Sequence, residues 1–184
     1  MPIKIEKKRS YKPHVDALEG ARTLLEFSKE VRDGRRFEWA GALLLTAFAY
    51  EGYLNYLGRK LFSSWESIER SLSWRSKTKL ISERVGFVLE EDQKPFRTIR
   101  DLFKYRDHMA HLKPDELHEE FEVDKIDMRF YERIRTEAEK FCTSDNAKLC
   151  VEDVENMIIL LHDSAKTGGE HPLFPGQESG SAHA

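Results

Sequence analysis

Residues 95–114 read PFRTIRDLFKYRDHMAHLKP, and their hydrophobic spacing predicts a helix, which we call the motif helix. Its apolar residues recur at helical intervals and form one face: Phe96, Ile99, Leu102, Phe103, Met109 and Ala110. Pro114 biases Lys113 away from helical backbone angles. We therefore expect the helix to end near Leu112, with His111 in its final turn.

Polar side chains distinguish the motif helix from an ordinary core helix. Arg106 lies within the apolar face, where a guanidinium that keeps its proton needs a partner or a function. The opposite side carries Arg100, Lys104, Asp107, His108 and His111. Asp107 and His111 are four residues apart, so we expect the carboxylate to orient the imidazole. A polar face with two histidines is also typical of an ordinary solvated surface.

The hexapeptide RDHMAH, residues 106–111, resembles the R-x4-H signature of the HEPN family. Members of this family are small all-helical proteins that carry the motif near the end of a long helix. Asp107 fits the polar residue that usually follows the arginine. The segment AFAYEGYLNYLG, residues 47–58, is similar to an earlier long helix of the family that contains a glutamate. The resemblance covers residues 13–166, but only these two helices carry residues that match.

The resemblance implies metal-independent RNA cleavage, in which the ribose 2′-hydroxyl attacks the adjacent phosphate and leaves a 2′,3′-cyclic phosphate. His111 would transfer protons and Arg106 would hold the phosphate, while Asp107 orients the site and His108 assists. RNA is then the expected partner, with Arg100, Lys104 and Lys113 as binding candidates, and no cofactor is expected. A toxin or defence component with an antitoxin or another regulatory protein also fits the resemblance.

The spacing of the motif predicts an incomplete site in one copy of the chain. Arg106 and His111 lie about 140° apart around an ideal helix, so they point in different directions. Two copies related by a two-fold axis would bring both motifs together, because such an interface pairs each residue with its counterpart. We therefore expect a homodimer through the motif helix, as the family resemblance also implies.

A second helix is predicted over 39–57, and it is apolar most of the way round, as in the centre of a bundle. Glu51 and Asn55 lie four residues apart on its stripe of Ala40, Leu44 and Ala47. A carboxylate there needs a partner, so we expect Glu51 to reach the motif helix, where Arg106 is the candidate cation. The alternative is that Glu51 reaches solvent at the edge of the stripe.

The whole pattern predicts an all-α, single-domain bundle of about five to six helices. We expect a basic N-terminal tail at 1–12, a HEPN-like helical domain at 13–168 and a disordered C-terminal tail at 169–184. Further helices are expected over 13–32, over 74–85, over 124–141 and in a last segment that glycines end at 168–169. A short helix to residue 72 should follow a capping box from Ser63 to Glu66. No alternating pattern predicts a strand.

The predicted helix over 74–85 has two interpretations. Its apolar residues are sparse, and it carries four cations: Arg75, Lys77, Lys79 and Arg84. The helix could face RNA, with Trp74 available for stacking on a base. We favour the second interpretation, an amphipathic cover whose lysines lie in water.

Composition and missing motifs exclude several classes of protein. A formal net charge of −3 argues against a protein that coats nucleic acid non-specifically, although a local basic patch could steer RNA. The nucleotide-binding motifs GxxxxGK[ST] and GxGxxG and the zinc-protease motif HExxH are absent. No apolar run approaches the roughly 20 residues that span a bilayer, so we expect no membrane partner and a cytoplasmic location.

No metal site or disulfide is expected. His108 and His111 have metal-ligand spacing with Asp107 nearby, but further ligands with characteristic spacing are missing. Cys142 and Cys150 form no CxxC pair and are interpreted as ordinary thiols.

Two functions remain: a HEPN-type endoribonuclease, or a non-catalytic HEPN-like dimer that binds RNA or a partner protein. Substitution of His111 by alanine should abolish catalysis but leave the affinity of a binding module intact. Some family members are regulated at a tyrosine two residues past the histidine, and that position is Lys113 here.

Overall fold

The computed structural model describes residues 4–30, 33–114, 116–120, 133–168, 171–176 and 178–183. Its body is helical, which confirms the predicted all-α class. The described residues form seven helices: α1 (Pro13–Phe27), α2 (Arg36–Leu61), α3 (Trp65–Ile68), α4 (Trp74–Val85), α5 (Phe96–Ala110), α6 (Glu137–Phe141) and α7 (Ser144–Ala165). Because α3 and α6 have only four and five residues, five longer helices build the bundle.

The central helix is α2, which packs against α1, α4, α5 and α7. Its apolar and small side chains are buried on several sides, as its sequence predicts. The Tyr50 hydroxyl forms a 3.0 Å hydrogen bond with Thr78 Oγ1 and so links α2 to α4. A Cβ at Gly58 would overlap the indole of Trp65, so the glycine lets α3 pack directly on α2.

Local signals explain which predicted helix ends are right. The bounds of α4 match the prediction, because the Ser73 side chain accepts a hydrogen bond from the Ser76 N–H and Gly86 adopts the left-handed conformation at φ 71°. The expected capping box from Ser63 is wrong, since α3 follows Ser64 without a side-chain cap. The first helix ends at Phe27, earlier than expected.

The predicted helix over 124–141 falls largely outside the described residues, which resume at residue 133. Within them the chain becomes helical only at Glu137. The start of α6 has a capping box: Thr136 Oγ1 accepts from the Glu139 N–H, and the Glu139 side chain accepts from the Thr136 N–H. The last helix, α7, is longer than its apolar pattern indicated and begins at Ser144.

Segments near the two ends of the chain form strands, which the sequence did not predict. Strand β1 (Lys4–Arg9) pairs with β2 (Glu178–His183) in an antiparallel ribbon. Main-chain hydrogen bonds hold such a ribbon, and neither segment has the alternating apolar residues that predict a strand. Between α7 and β2, Pro172 is buried, and its carbonyl oxygen lies 2.9 Å from His14 Nε2.

The motif helix is α5, and its apolar residues up to Tyr105 pack into the core. Phe96, Ile99, Leu102, Phe103 and Tyr105 are all buried. After Tyr105 none of the helix residues is fully buried, so packing gives little support to another turn. The helix ends at Ala110, and His111 is its C-terminal cap residue rather than part of the final turn, with φ −128° and ψ 40°.

Two predicted members of the apolar face lie near this end. Met109 is half-buried and Ala110 is exposed, so the face is narrower than the sequence pattern indicates. None of the helices in the described part of the chain combines the length and hydrophobicity that crossing a bilayer requires.

Candidate active site

Arg106 is tied to the central helix by Glu51. Arg106 Nη2 donates to Glu51 Oε2 across 3.5 Å, and the two side chains are 24% and 31% exposed. The contact forms because α2 and α5 pack together, with Glu51 at the edge of the buried side of α2. The expected reach of Glu51 to the motif helix is therefore confirmed.

Glu51 has a second cationic partner on α4. Lys77 Nζ lies 3.0 Å from Glu51 Oε1, and the Lys77 side chain is only 4% exposed. The prediction that the lysines of this helix lie in water is wrong for Lys77. A sequence signal was available, because Lys77 lies between Trp74 and Ile81 at helical spacing and so shares their inward side.

The guanidinium of Arg106 also packs on an aromatic ring, which in turn packs on a second one. Arg106 Cζ lies 4.8 Å from the centroid of the Phe103 ring, a cation–π contact. Trp74 stacks on the other side of this ring, with centroids 4.3 Å apart and planes 18° apart. Trp74 is therefore engaged in the protein and is not the free stacking platform for RNA that the alternative interpretation of α4 requires.

Asp107 pairs with Arg106 rather than with His111. Asp107 Oδ1 lies 3.1 Å from Arg106 Nη1, and the carboxylate is largely exposed. The expectation that Asp107 orients the His111 ring is therefore wrong in this structure. The physical reason is the end of the helix: His111 leaves helical geometry, so the four-residue spacing no longer brings the two side chains together.

An open cavity of about 1110 Å³ lies beside the end of α5. His108, His111 and Lys113 line one side of it and are exposed, while the start of α2, residues 117–119, the residues before α6 and α6 itself line the rest. Several cations in the lining are already paired. Arg36 and Arg133 both contact the Glu139 carboxylate, and Lys140 contacts Glu137. His108, His111 and Lys113 are exposed polar groups at this helix end, and the lining adds the exposed side chains of His118 and Arg135.

Arg106 and His111 face different parts of the molecule. Arg106 contacts side chains of α2 and α5, whereas His111 contributes to the cavity, whose lining does not include Arg106. Within the part of the chain that the structure describes, the two side chains share no side-chain partner. In one copy of the chain, the arginine and the histidine of the motif therefore lie in two different surroundings. We call these surroundings, of Arg106 and of His111, the two half-sites.

The remaining candidates are distributed unevenly around these half-sites. Arg100 Nη1 binds Asp92 Oδ1 at 3.2 Å, and Lys104 Nζ binds Asp101 Oδ1 at 2.8 Å, so both are engaged locally. Lys113 alone of the three predicted RNA-binding residues joins His111 at the cavity. Asn55 follows Glu51 on α2, and its Oδ1 is buried without a hydrogen-bond partner among the described residues.

The cysteines are free in the structure. Burial raises the pKa of the Cys150 thiol to about 12 and also raises the pKa of Cys142, which borders the cavity. Both groups are therefore protonated thiols near neutral pH and poor nucleophiles. The described residues contain no group of three or more His, Cys, Asp or Glu side chains that could hold a metal ion.

Comparison with protein-family models, curated proteins and solved structures finds no match to this chain. The resemblance to the HEPN family therefore rests on the residues of the motif and of the α2 segment. The contact between Glu51 and Arg106 joins those two elements in space.

Proposed function

We propose that the protein is an endoribonuclease of the HEPN type that cleaves RNA without a metal ion. The observation that carries this proposal is the Arg106 guanidinium, which Glu51, Asp107 and Phe103 hold in place while it stays 24% exposed. A cation that is fixed by the fold and open to solvent is suited to binding a phosphate and stabilising its charge in a transition state. His111 adds an accessible imidazole at the end of the same helix.

The proposed reaction is a transesterification within the RNA strand. His111 takes the proton of the ribose 2′-hydroxyl, and that oxygen attacks the adjacent phosphorus. The new bond from O2′ to phosphorus forms as the bond from phosphorus to O5′ breaks, and the leaving O5′ accepts a proton. A second imidazole, either His108 or the His111 of another copy, supplies that proton. The products are a 2′,3′-cyclic phosphate and a 5′-hydroxyl.

A homodimer is part of the proposal because one copy holds the two motif residues apart. The surface of α2 supports it: Phe37 and Phe48 are 66% and 54% exposed, and they lie eleven residues apart on one side of the helix. Exposed aromatic side chains on one stripe are typical of a protein interface. The same stripe leads to Glu51, the partner of Arg106, so a two-fold contact there would place Arg106 near the interface, where the proposal requires the His111 of the other copy to meet it.

The proposal is tested with the purified full-length chain and total cellular RNA in a buffer that contains EDTA. We expect the wild type to cut and to leave cyclic phosphate ends. Arg106→Ala and His111→Ala should each lower the rate by about 10² or more, since each removes a group that acts in the transition state. Arg70→Ala, which removes an exposed arginine beyond α3, is the matched control and should cut normally.

The result separates the two candidate functions. Equal cutting by all variants would contradict the assigned roles and would indicate a contaminating nuclease. A folded, dimeric wild type that cuts no RNA would contradict the enzyme and favour the non-catalytic binding module. That module should keep its affinity for RNA or for a partner protein in His111→Ala.

A further inference from the structure

We propose that Lys77 is a positioning residue for Arg106, acting through the Glu51 carboxylate, so that α4 is part of the candidate active site. The inference rests on the proposed function and deepens it, because it names a residue outside the motif that controls the phosphate-binding cation. Lys77 itself is buried and would not contact RNA.

The geometry gives each cation its own oxygen of the shared carboxylate. Lys77 Nζ lies 3.0 Å from Glu51 Oε1, while Arg106 Nη2 lies 3.5 Å from Glu51 Oε2. The lysine thus makes the shorter contact and the arginine the longer one. A Glu51 carboxylate that is held by Lys77 has fewer accessible rotamers. The contact with Lys77 therefore fixes the position of the oxygen that Arg106 binds.

Packing alone does not explain a lysine at position 77. The side chain lies on the inward side of α4, where an apolar residue of similar length would avoid the cost of removing an ammonium group from water. Glu51 is the partner that offsets this cost. The buried position therefore indicates a role for the positive charge itself.

The charge balance suggests what that role is. With Lys77 present, the two cations Lys77 and Arg106 balance the two carboxylates Glu51 and Asp107, so an incoming phosphate meets no excess of negative charge at Arg106. Without Lys77, both carboxylate oxygens would be free to pair with the guanidinium, and a bidentate pair would neutralise it more completely. Lys77 thereby keeps Arg106 oriented and also available to an anion.

A second set of contacts from α4 reaches Arg106 independently of charge. Trp74, one turn before Lys77, stacks on Phe103, and the Phe103 ring lies beneath the guanidinium. Thr78, next to Lys77, binds Tyr50 and fastens α4 to α2 without contacting Glu51. Substitution of Thr78 would change the packing of α4 but keep the charge of Lys77. Thr78 therefore provides a matched control.

The test compares Lys77→Met, Lys77→Arg and Thr78→Val by kcat and KM on RNA and by thermal unfolding. We expect Lys77→Met to lower kcat by about tenfold or more, a smaller loss than removal of a direct donor causes. Tm should change little, because Glu51 is 31% exposed and keeps Arg106 as its partner. Lys77→Arg should restore most of the rate because it retains the charge. Thr78→Val should lower Tm and leave kcat within about twofold, since it loses two hydrogen bonds, one with Tyr50 and one to the Trp74 carbonyl, but keeps the charge of Lys77.

An NMR measurement keeps this inference separate from the nuclease proposal. The Arg106 Nε–H signal, identified by its loss in Arg106→Lys, is followed during titration with inorganic phosphate. Lys77→Met should displace this signal and weaken its response to phosphate, and Thr78→Val should not. If the wild type cuts no RNA but these changes occur, the nuclease proposal fails and the positioning role stands. Unchanged kcat or an unchanged Arg106 signal in folded Lys77→Met would overturn the positioning role.

Discussion

Arg106 and His111 are five residues apart in the chain, but their surroundings differ in kind. Side chains from α2 and α5 contact the guanidinium, and α4 supports those contacts from behind. His111 is exposed at a helix end, and its backbone N–H bonds to the carbonyl groups of Asp107 and His108. The contacts that position the Arg106 guanidinium thus all come from one chain. The His111 imidazole, by contrast, is exposed.

The largest expected effect comes from removing the Phe103 ring, on which the Arg106 guanidinium packs. Phe103 is fully buried between Trp74 and the guanidinium, so Phe103→Ala should destabilise the protein by about 3–5 kcal/mol. Leu112→Ala, at the exposed end beside His111, should change stability by less than about 0.5 kcal/mol. Urea unfolding followed by tryptophan fluorescence measures both changes. Similar losses in the two variants would show that the two half-sites are equally packed.

Sequence patterns predict well the features that depend on neighbours along the chain. The bounds of α4 follow from Ser73 and Gly86, two residues whose local chemistry starts and ends a helix. The buried face of α5 follows from apolar spacing. The expectation that Glu51 reaches the motif helix comes from a carboxylate on one central helix, although the contact itself lies between two helices. In each case a single element carries the signal.

Features that depend on packing between elements are harder to predict. That Lys77 is buried against Glu51 depends on how α4 lies across α2, which no local spacing specifies. Asp107 turns to Arg106 because α5 ends one residue before His111, and this end depends on the loss of packing after Tyr105. The strand pairing of the chain ends joins segments about 170 residues apart and has no hydrophobic pattern to reveal it.

Mixing two inactive variants tests whether the two half-sites of one active site come from different copies of the chain. If the site takes Arg106 from one copy and His111 from the other, a heterodimer of Arg106→Ala and His111→Ala contains one intact site. Random mixing makes about half of the dimers heterodimers, so about a quarter of wild-type cleavage should return. Each variant alone is the control. No recovery, with subunit exchange verified by mass spectrometry, would mean that both residues act within one chain.

The smallest expected effect concerns a third imidazole, His14, which is held as firmly as Arg106. Its Nε2 lies 2.9 Å from the Pro172 carbonyl, and its Nδ1 is buried without a partner among the described residues. Burial lowers the pKa of His14 from 6.5, and the nearby Lys12 acts in the same direction, although the Pro172 carbonyl opposes them. The folded state therefore binds a proton at His14 less readily than the unfolded state does.

Acid should consequently weaken the fold through His14. Above pH 6.5 the imidazole is neutral in both states, so the free energy of unfolding should not depend on it. As the pH falls below 6.5 towards the folded pKa, the unfolded state takes up the proton first and the free energy of unfolding should fall. Urea unfolding from pH 7.5 to 5.5 measures this slope. His14→Gln, which can still donate to Pro172, should flatten it, and any remainder is expected from His162, whose pKa burial also lowers. A slope that persists unchanged in His14→Gln would contradict the assignment to His14.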